Sequence, residues 1–362
     1  MEHKISMLPG VAEYPRNQWY VAAFSREVSR EFLKREILDT PVVMYRTEAG
    51  APVALFDRCP HRGMPFSSGK LIGDIVQCGY HGFEFSTNGK CSSVPSGGPI
   101  PPKMCVSSFP LVEKWEWIWI WMGDPALANE DLIPDHAALG LIGDGWFSEA
   151  GIYLNVRANY LLPFENLVDA THITYLHHGL IDTGNVAKHP YEMEVEGAIV
   201  STIRVFENET LPPMLIKVLG LSDDVRVNRT LKLSAFAPNV AVIHLNFEVV
   251  GKSDGPALTN NLIVALTPQN RTATHQFACM AAGFPNPHPG RFDDLRNLLM
   301  EDVVAIEEIQ RLFDHLGEEN APEVSVKSDG NAVRTRRILI DMLEKERMPV
   351  HSMTATADSV LK

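Results

Sequence analysis

The sequence predicts an α+β protein with two parts: a small antiparallel β domain, then a larger domain in which helices cover an antiparallel sheet. Three observations support this. Short strand-like segments, separated by Gly, Pro and Asn turns, fill the chain from Gln18 to about Asp124. Longer alternating segments follow, and two helical patterns come after them. We divide the chain into domains of residues 1–135 and 136–362.

Composition excludes several classes of protein. The 362 residues, 45% of them apolar, are enough for a large core and fit two domains. A net charge of −13 without a cluster of Lys and Arg argues against nucleic-acid binding. No apolar run approaches the ~20 residues of a membrane helix, and the N-terminus lacks the apolar region of a secretion signal. Five cysteines, an odd number, indicate reduced thiols and metal ligands, so we expect a cytoplasmic protein with no membrane partner.

The first domain should consist of short strands. The predicted strands are QWYVAAF, PVVMYR, PVALFD, DIVQCGY, FEFS and WIWIWM. In the last of these, three tryptophans alternate with Ile118 and Ile120, so both faces of the strand should be covered.

The second domain should open with the strand WFSEAGIYLNVRANY and continue into a helix from about Pro163. The segment VAVIHLNFEVV alternates as a strand with one face on the core, and TLKLSAFA should pair with it across the turn at Pro238 and Asn239. Helices are predicted from Arg291 to about Leu316 and from about Asn331 to Arg347. The segment FENETLPPMLIKVLGLSDDVRVNR is interpreted as a mobile pocket wall.

A first metal site is indicated by a CxH pair, sixteen residues and then a CxxH pair. Two thiolates and two imidazoles on paired loops can hold a [2Fe–2S] cluster; a structural zinc ion is the alternative. Glycines beside the ligands suit tight loops around such a cluster. The other three cysteines are interpreted as buried or incidental thiols. The proposed ligands are Cys59, His61, Cys78 and His81; the glycines are Gly63, Gly79 and Gly82; the other cysteines are Cys91, Cys105 and Cys279.

The two loops, CPHRG and CGYHG, resemble the ligand loops of the Rieske family. Rieske proteins of respiratory complexes carry an extra cysteine in each loop, where this chain has Met64 and Tyr80. The resemblance is therefore to the oxygenase and ferredoxin branch of the family.

A second metal site is indicated by NLVDATHITYLHHG, in which Asp169, His172 and His177 resemble the iron-binding helix of Rieske oxygenases of the demethylase type. Asn166 also matches that pattern. On an ideal helix His172 and His177 are about 140° apart, so both can bind one ion only if the helix bulges or ends between them. His178 is the alternative to His177.

The third iron ligand is predicted to be Asp302. In RFDDLRNLLMEDVVAIEEIQRLFDHL it lies at the centre of an apolar stripe, where a carboxylate is costly unless it is paired or bound to metal. Two histidines and one carboxylate would form the facial triad of an O₂-activating iron. The alternative is a buried ion pair with Arg or Lys. The stripe is Leu295, Leu299, Ile306, Ile309 and Phe313, whereas Glu301, Glu307 and Glu308 are predicted to point away from it.

The resemblance implies a Rieske non-haem iron oxygenase, similar to the vanillate and dicamba demethylases, with a catalytic domain of the helix-grip type. Electrons from NAD(P)H would reach the cluster through a ferredoxin or flavin reductase and pass to the iron. There O₂ would hydroxylate or demethylate a small substituted aromatic compound. The family forms head-to-tail homotrimers, in which Asp169 would bridge His81 of one chain and His172 of the next.

Two further points remain open. Arg58, Arg62, Lys70 and Lys90 are interpreted either as a basic docking patch for an acidic electron donor or as a scattered set of solvated side chains. The alternative functions are a cis-dihydroxylating ring dioxygenase with a β subunit and, from another class, a non-catalytic electron carrier or zinc-stabilised binding protein.

Overall fold

The computed structural model describes residues 13–141, 145–251, 258–284, 290–317, 320 and 322–348. The outer ends of both predicted domains, residues 1–12 and 349–362, lie outside this range. As predicted, a region of small antiparallel sheets precedes one large antiparallel sheet with helices on it.

The N-terminal region forms three small sheets with the strand orders β1-β10-β9, β2-β3-β4 and β5-β6-β7-β8. Four of its strands, β2, β5, β8 and β9, were not predicted, because they are short or charged. The strands are β1 (Trp19–Phe24), β2 (Leu33–Ile37), β3 (Thr40–Arg46), β4 (Pro52–Phe56), β5 (Lys70–Ile72), β6 (Ile75–Gln77), β7 (Glu84–Phe85), β8 (Cys91–Ser93), β9 (Leu111–Lys114) and β10 (Trp117–Trp121).

The C-terminal region is built on a seven-stranded antiparallel sheet with the order β11-β17-β16-β15-β14-β13-β12. The predicted hairpin is confirmed, since β14 pairs with β15 from Val227–Val249 to Phe236–Val240. The strands are β11 (Phe147–Val156), β12 (Glu192–Glu196), β13 (Ile199–Thr210), β14 (Arg226–Phe236), β15 (Val240–Val249), β16 (Leu258–Asn270) and β17 (Ala273–Ala282). The helices are α1 (His136–Leu139), α2 (Leu161–Val168), α3 (Thr171–Tyr175), α4 (Pro213–Leu219), α5 (Arg291–Leu316) and α6 (Gly330–Arg347).

Both faces of the large sheet are covered at its centre, whereas the edge strand β12 is exposed. On one face, α2 and α5 bury Phe164 and Leu299 against Ala235 and Val264. The opposite face packs against the tryptophans of β10, and the side chains of β10 are at most 1% exposed on both faces, as predicted. The prediction that β15 buries only one face was therefore wrong at its start, because Val242 packs against those tryptophans.

The N-terminal and C-terminal regions are also joined by hydrogen bonds and by the last helix. Thr267 Oγ1 donates to Val21 O at 2.7 Å, and Asn239 Nδ2 donates to Trp19 O at 3.0 Å. On α6, Leu339 and Leu343 lie in the same cluster as the isoleucines of β10. None of the helices in the described part of the chain is both long and apolar enough to cross a bilayer.

Helix α5 begins and ends where the sequence pattern predicts, but its buried stripe differs in one place. Ile309 is 46% exposed, whereas Val303 and Gln310 are buried. The buried positions follow the 3.6-residue period from Leu295 through Asp302 to Gln310, which leaves Ile309 at the edge of the stripe.

Candidate active site

Two matching loops bring the four predicted cluster ligands together. Cys59 and His61 follow β4, and Cys78 and His81 lie between β6 and β7. In each loop the cysteine carbonyl accepts a hydrogen bond from a glycine four residues later, Gly63 or Gly82, and both glycines have positive φ. The loops also cross closely, since a Cβ on Gly79 would lie 2.7 Å from the carbonyl oxygen of Ser68.

The donor atoms of this set suit a Rieske centre. The thiols of Cys59 and Cys78 are buried at the base of the loops, whereas His61 and His81 lie at the rim with their Nδ1 atoms 3.2 Å apart. Burial raises the pKa of the Cys59 thiol to about 11, so binding of a metal as thiolate must release a proton. Two sulfur donors beneath two facing imidazoles match the ligands of a [2Fe–2S] cluster with two thiolates on one iron and two histidines on the other.

The second group comprises His172, His177 and Asp302, whose ligand atoms all lie within 4.8 Å of one another. Asp302 Oδ1 lies 3.0 Å from His177 Nε2 and 3.6 Å from His172 Nε2. The alternative interpretation of Asp302 as half of an ion pair with Arg or Lys is not supported, since in the described residues both partners within 4 Å are histidines. His178 is exposed and lies outside this group.

A break in the helix makes this arrangement possible. Helix α2 ends at Val168, Asp169 takes an extended conformation, and α3 begins at Thr171 and ends before His177. The sequence pattern placed Asp169 and His172 on one continuous helix. Instead, Asp169 caps α3 by accepting hydrogen bonds from the backbone N–H groups of Thr171 at 2.9 Å and His172 at 2.8 Å.

Each histidine of the group has a carboxylate beside its Nδ1. Asp169 Oδ2 lies 3.2 Å from His172 Nδ1, and Glu301 Oε2 lies 2.8 Å from His177 Nδ1. Donation from Nδ1 leaves the Nε2 lone pairs for a metal. Glu301 was predicted to point away from the apolar stripe, and it is not among the buried residues of α5, but the sequence did not indicate its contact with His177. Its side chain is long enough to reach His177 from the edge of the helix face, and only the adjacent acidic pair Glu301 and Asp302 could have indicated this.

Hydrogen bonds to neighbouring groups shift the pKa values of Asp169 and His177 in opposite directions. Burial by itself raises the pKa of Asp169, but hydrogen bonds from His172 and the α3 backbone outweigh burial and leave the pKa below its usual value. Burial lowers the pKa of His177, yet Asp302 and Glu301 raise it above its usual value. Asn166 adds a hydrogen bond from Nδ2 to Asp302 Oδ1 at 3.2 Å, so it orients this carboxylate.

An apolar cavity of about 130 Å³ adjoins this group. Its floor is the face of the sheet that carries Leu231, Ile243 and Leu262, and its wall includes Met214 and Val218 of α4. The segment interpreted from the sequence as a pocket wall does line the cavity. A molecule held here would lie against Asp302 and the two histidines.

Comparison with known proteins identifies both regions. Residues 18–110 match the Rieske [2Fe-2S] domain, and residues 156–345 match the vanillate O-demethylase oxygenase C-terminal domain. The dicamba O-demethylase oxygenase component of Stenotrophomonas maltophilia is 34% identical over 90% of this chain and 96% of its own. The vanillate O-demethylase oxygenase subunit of a Pseudomonas species is 31% identical over 92% of this chain and 96% of its own.

The crystal structure of dicamba monooxygenase bound to 3,6-dichlorosalicylic acid superposes with a TM-score of 0.85 at 30% identity, covering 93% of this chain and 99% of that chain. Dicamba monooxygenase has also been solved with non-haem iron and dicamba. The cofactors of the family, a [2Fe–2S] cluster and a mononuclear iron, fit the two donor sets described above. The chain belongs to the vanillate O-demethylase group of Rieske non-haem iron oxygenases.

Proposed function

We propose that this chain is the terminal oxygenase of a multicomponent monooxygenase that oxidatively dealkylates a small substituted aromatic compound. The observation that carries the proposal is the apolar cavity beside His172, His177 and Asp302. The relatives of this chain include the oxygenase components of two O-demethylase systems. Electrons are proposed to come from NAD(P)H through a ferredoxin or flavin reductase.

The ligand assignments belong to this proposal. Cys59, His61, Cys78 and His81 would hold the [2Fe–2S] cluster, and His172, His177 and Asp302 would hold the iron. When bound, these groups supply electrons and activate O₂. Asp169 and Glu301 fix the two imidazoles, and Asn166 holds Asp302. The apolar floor excludes water and places an alkyl group of the substrate beside the three ligands.

A homotrimer is the proposed assembly. A second cavity, of about 520 Å³, opens beside Asp169 and His172. Its lining is mixed polar and apolar and includes Val324, which is 86% exposed. On the other region of the chain, Tyr80 is 62% exposed next to the cluster loop. Such exposed apolar groups are typical of an interface. We propose that the cluster loops of one subunit dock at this cavity of the next, with Asp169 between the two metal sites.

Light scattering on the purified protein tests the assembly. The expected mass is three times that of the 40.2 kDa chain. Val324→Glu should dissociate the trimer, whereas Val205→Glu, at a strand position that is 53% exposed, is the matched control and should not. A monomeric wild-type protein would contradict the proposed electron path between subunits.

The function itself is tested by incubating the oxygenase with a surrogate reductase, NADH and a panel of methoxy- and N-methyl-substituted aromatics. Formaldehyde release in step with O₂ uptake is the expected result. Product analysis with ¹⁸O₂ separates the alternatives, because two labelled atoms in a cis-diol would identify a ring dioxygenase. Reduction of the cluster without any O₂ uptake over the whole panel would instead favour an electron carrier.

The finer assignments are also proposals. The basic side chains Arg58, Arg62, Lys70 and Lys90 are all exposed around the cluster loops, which supports a docking patch for an acidic electron donor. The division between residues 135 and 136 is supported by the end of β10 at Trp121 and the start of β11 at Phe147. A cytoplasmic location remains a prediction from the cysteine content.

A further inference from the structure

A buried ion pair lies in the wall of the apolar cavity, away from the three metal ligands. Arg229 of β14 lines the cavity and pairs through Nε and Nη2 with Glu209 of β13. Their side chains are 4% and 10% exposed. Leu231 packs in the same cluster as Ile173, the residue next to the proposed iron ligand His172. Arg229 lies two residues before Leu231 on the same strand, about 7 Å away.

Glu209 is placed behind Arg229 by an irregularity in β13. Phe206 is directly opposite Arg229, but the next partners are Glu209 and Val227, so β13 contains one extra residue. Asn208, within this bulge, has a φ of +49°. A bulge reverses the alternation of the strand beyond it, and here it brings Glu209 to the same face as Arg229.

The guanidinium of Arg229 is therefore held on two sides. Glu209 binds one edge, and the ring of Phe206 lies under its face, 4.3 Å from Cζ. Within the described part of the chain, no group accepts a hydrogen bond from Nη1. Of the five N–H donors of the guanidinium, two on Nη1 and one on Nη2 thus remain for a ligand. The cavity wall around it is mainly aliphatic, with Asn260 and Arg291 as its other polar members outside the metal end.

Fold stability does not explain this arrangement. Burial raises the pKa of Glu209, which shows that the carboxylate is costly to keep charged here even beside Arg229. A hydrophobic pair of similar volume is often as stable as a buried ion pair, or more so. Among the described residues that line the cavity, the acidic side chains are Asp169 and Asp302, both at the metal end. The arrangement therefore favours a negative group on the ligand at the Arg229 end.

We propose that Arg229, supported by Glu209 and Phe206, is the specificity-determining residue that binds a carboxylate or sulfonate group on the aromatic substrate. This deepens the proposed function and rests on it. The anion would pair with the free edge of the guanidinium, while the alkyl group to be oxidised lies towards His172. Arginine suits this role because its planar fork matches the two oxygens of a carboxylate or sulfonate.

The test measures binding alone, without reductase or O₂. Calorimetry with the iron-loaded oxygenase under anaerobic conditions would compare para-methoxybenzoate, para-methoxybenzenesulfonate and the uncharged para-methoxybenzamide. The wild-type protein should bind at least one anion about 10- to 100-fold more tightly than the amide, the range expected for a hydrogen bond to a charged group. The two anions distinguish a carboxylate site from a sulfonate site.

Variants then assign the preference to Arg229. Arg229→Met combined with Glu209→Gln removes both charges together, so that no unpaired carboxylate is left buried. This double variant should lose the preference for the anion, while its affinity for the amide changes less than about threefold. Lys232→Met is the matched control and should keep the preference, because Lys232 lies on the same strand but pairs with the exposed Glu194. If the double variant does not fold, Arg229→Lys, which keeps the charge but loses the fork, should bind the anion several-fold more weakly.

The outcomes separate the two proposals. Equal binding of anion and amide by the wild-type protein, or an unchanged preference in either Arg229 variant, would overturn the anion site. Selective anion binding that depends on Arg229, together with no O₂ uptake on any compound, would support the site and overturn dealkylation. Fast formaldehyde release from the amide, with no preference in binding, would support dealkylation and overturn the anion site.

Discussion

The contact between Glu301 and His177 gives a prediction that can be worked out from the structure. Glu301→Gln keeps the shape of the side chain but replaces the carboxylate that accepts a hydrogen bond from His177 Nδ1 at 2.8 Å. A hydrogen bond to a charged group contributes about 1.5–3 kcal/mol. The Glu301 side chain is 39% exposed, so water weakens the interaction and we take the lower end. A loss of about 1.5 kcal/mol corresponds to slightly more than tenfold weaker iron binding.

The assay is the release of Fe(II) to a coloured chelator under anaerobic conditions, with the visible spectrum of the cluster as an internal reference. Glu308→Gln is the matched control, because Glu308 lies on the same helix and pairs with Arg311 instead of a proposed ligand. We expect faster iron loss from Glu301→Gln alone, with the cluster retained in both variants. Equal iron affinity in the wild type and Glu301→Gln would refute the orienting role of this carboxylate.

Three further changes have defined expectations. Asp169→Asn should keep both metals but reduce turnover at least about 100-fold, because the hydrogen bond between residue 169 and His172 loses its charge. Turnover at the wild-type rate would exclude a role of Asp169 in electron transfer. Arg336→Met should lower the free energy of unfolding by roughly 2–4 kcal/mol, since it leaves the carboxylate of Glu165 buried without its cation. Burial raises the pKa of Glu165, and a protonated Glu165 needs no cation beside it. The loss of unfolding free energy, measured by urea titration, should therefore be smaller at pH 5 than at pH 8. A larger loss at pH 5 would contradict this reasoning. Gly79→Ala should reduce cluster content and lower the free energy of unfolding by about 1–3 kcal/mol, because its Cβ would lie 2.7 Å from the Ser68 carbonyl oxygen. Full cluster occupancy with an unchanged melting temperature would show that the backbone can move to accommodate the Cβ.

The parts of the molecule that the sequence predicted well depend on local patterns. The ends of α5 and the β14–β15 hairpin follow from periodicity and turn residues. The conflict between His172 and His177 on one helix predicted that the helix must bulge or end, and α3 does end between them. These features depend on residues that are close together in the sequence, so the sequence alone is enough to predict them.

The features that sequence reasoning missed depend on contacts between distant segments. Val242 is buried because β10, more than a hundred residues earlier, covers that face of the sheet. Glu301 reaches His177 from a helix face that the periodicity assigns to solvent. The pairing of Glu209 with Arg229 depends on a bulge in β13 for which no pattern was recognised.

The burial of the central strands of the large sheet on both faces limits how this enzyme can change during evolution. Ile243 faces the cavity while its neighbour Val242 faces the tryptophans, so inserting or deleting one residue in β15 would exchange the two sets of side chains. Substrate range can therefore diverge through substitutions on these strands that keep their length. Changes in chain length are better tolerated in the α4 segment, which borders the same cavity without passing through the sheet.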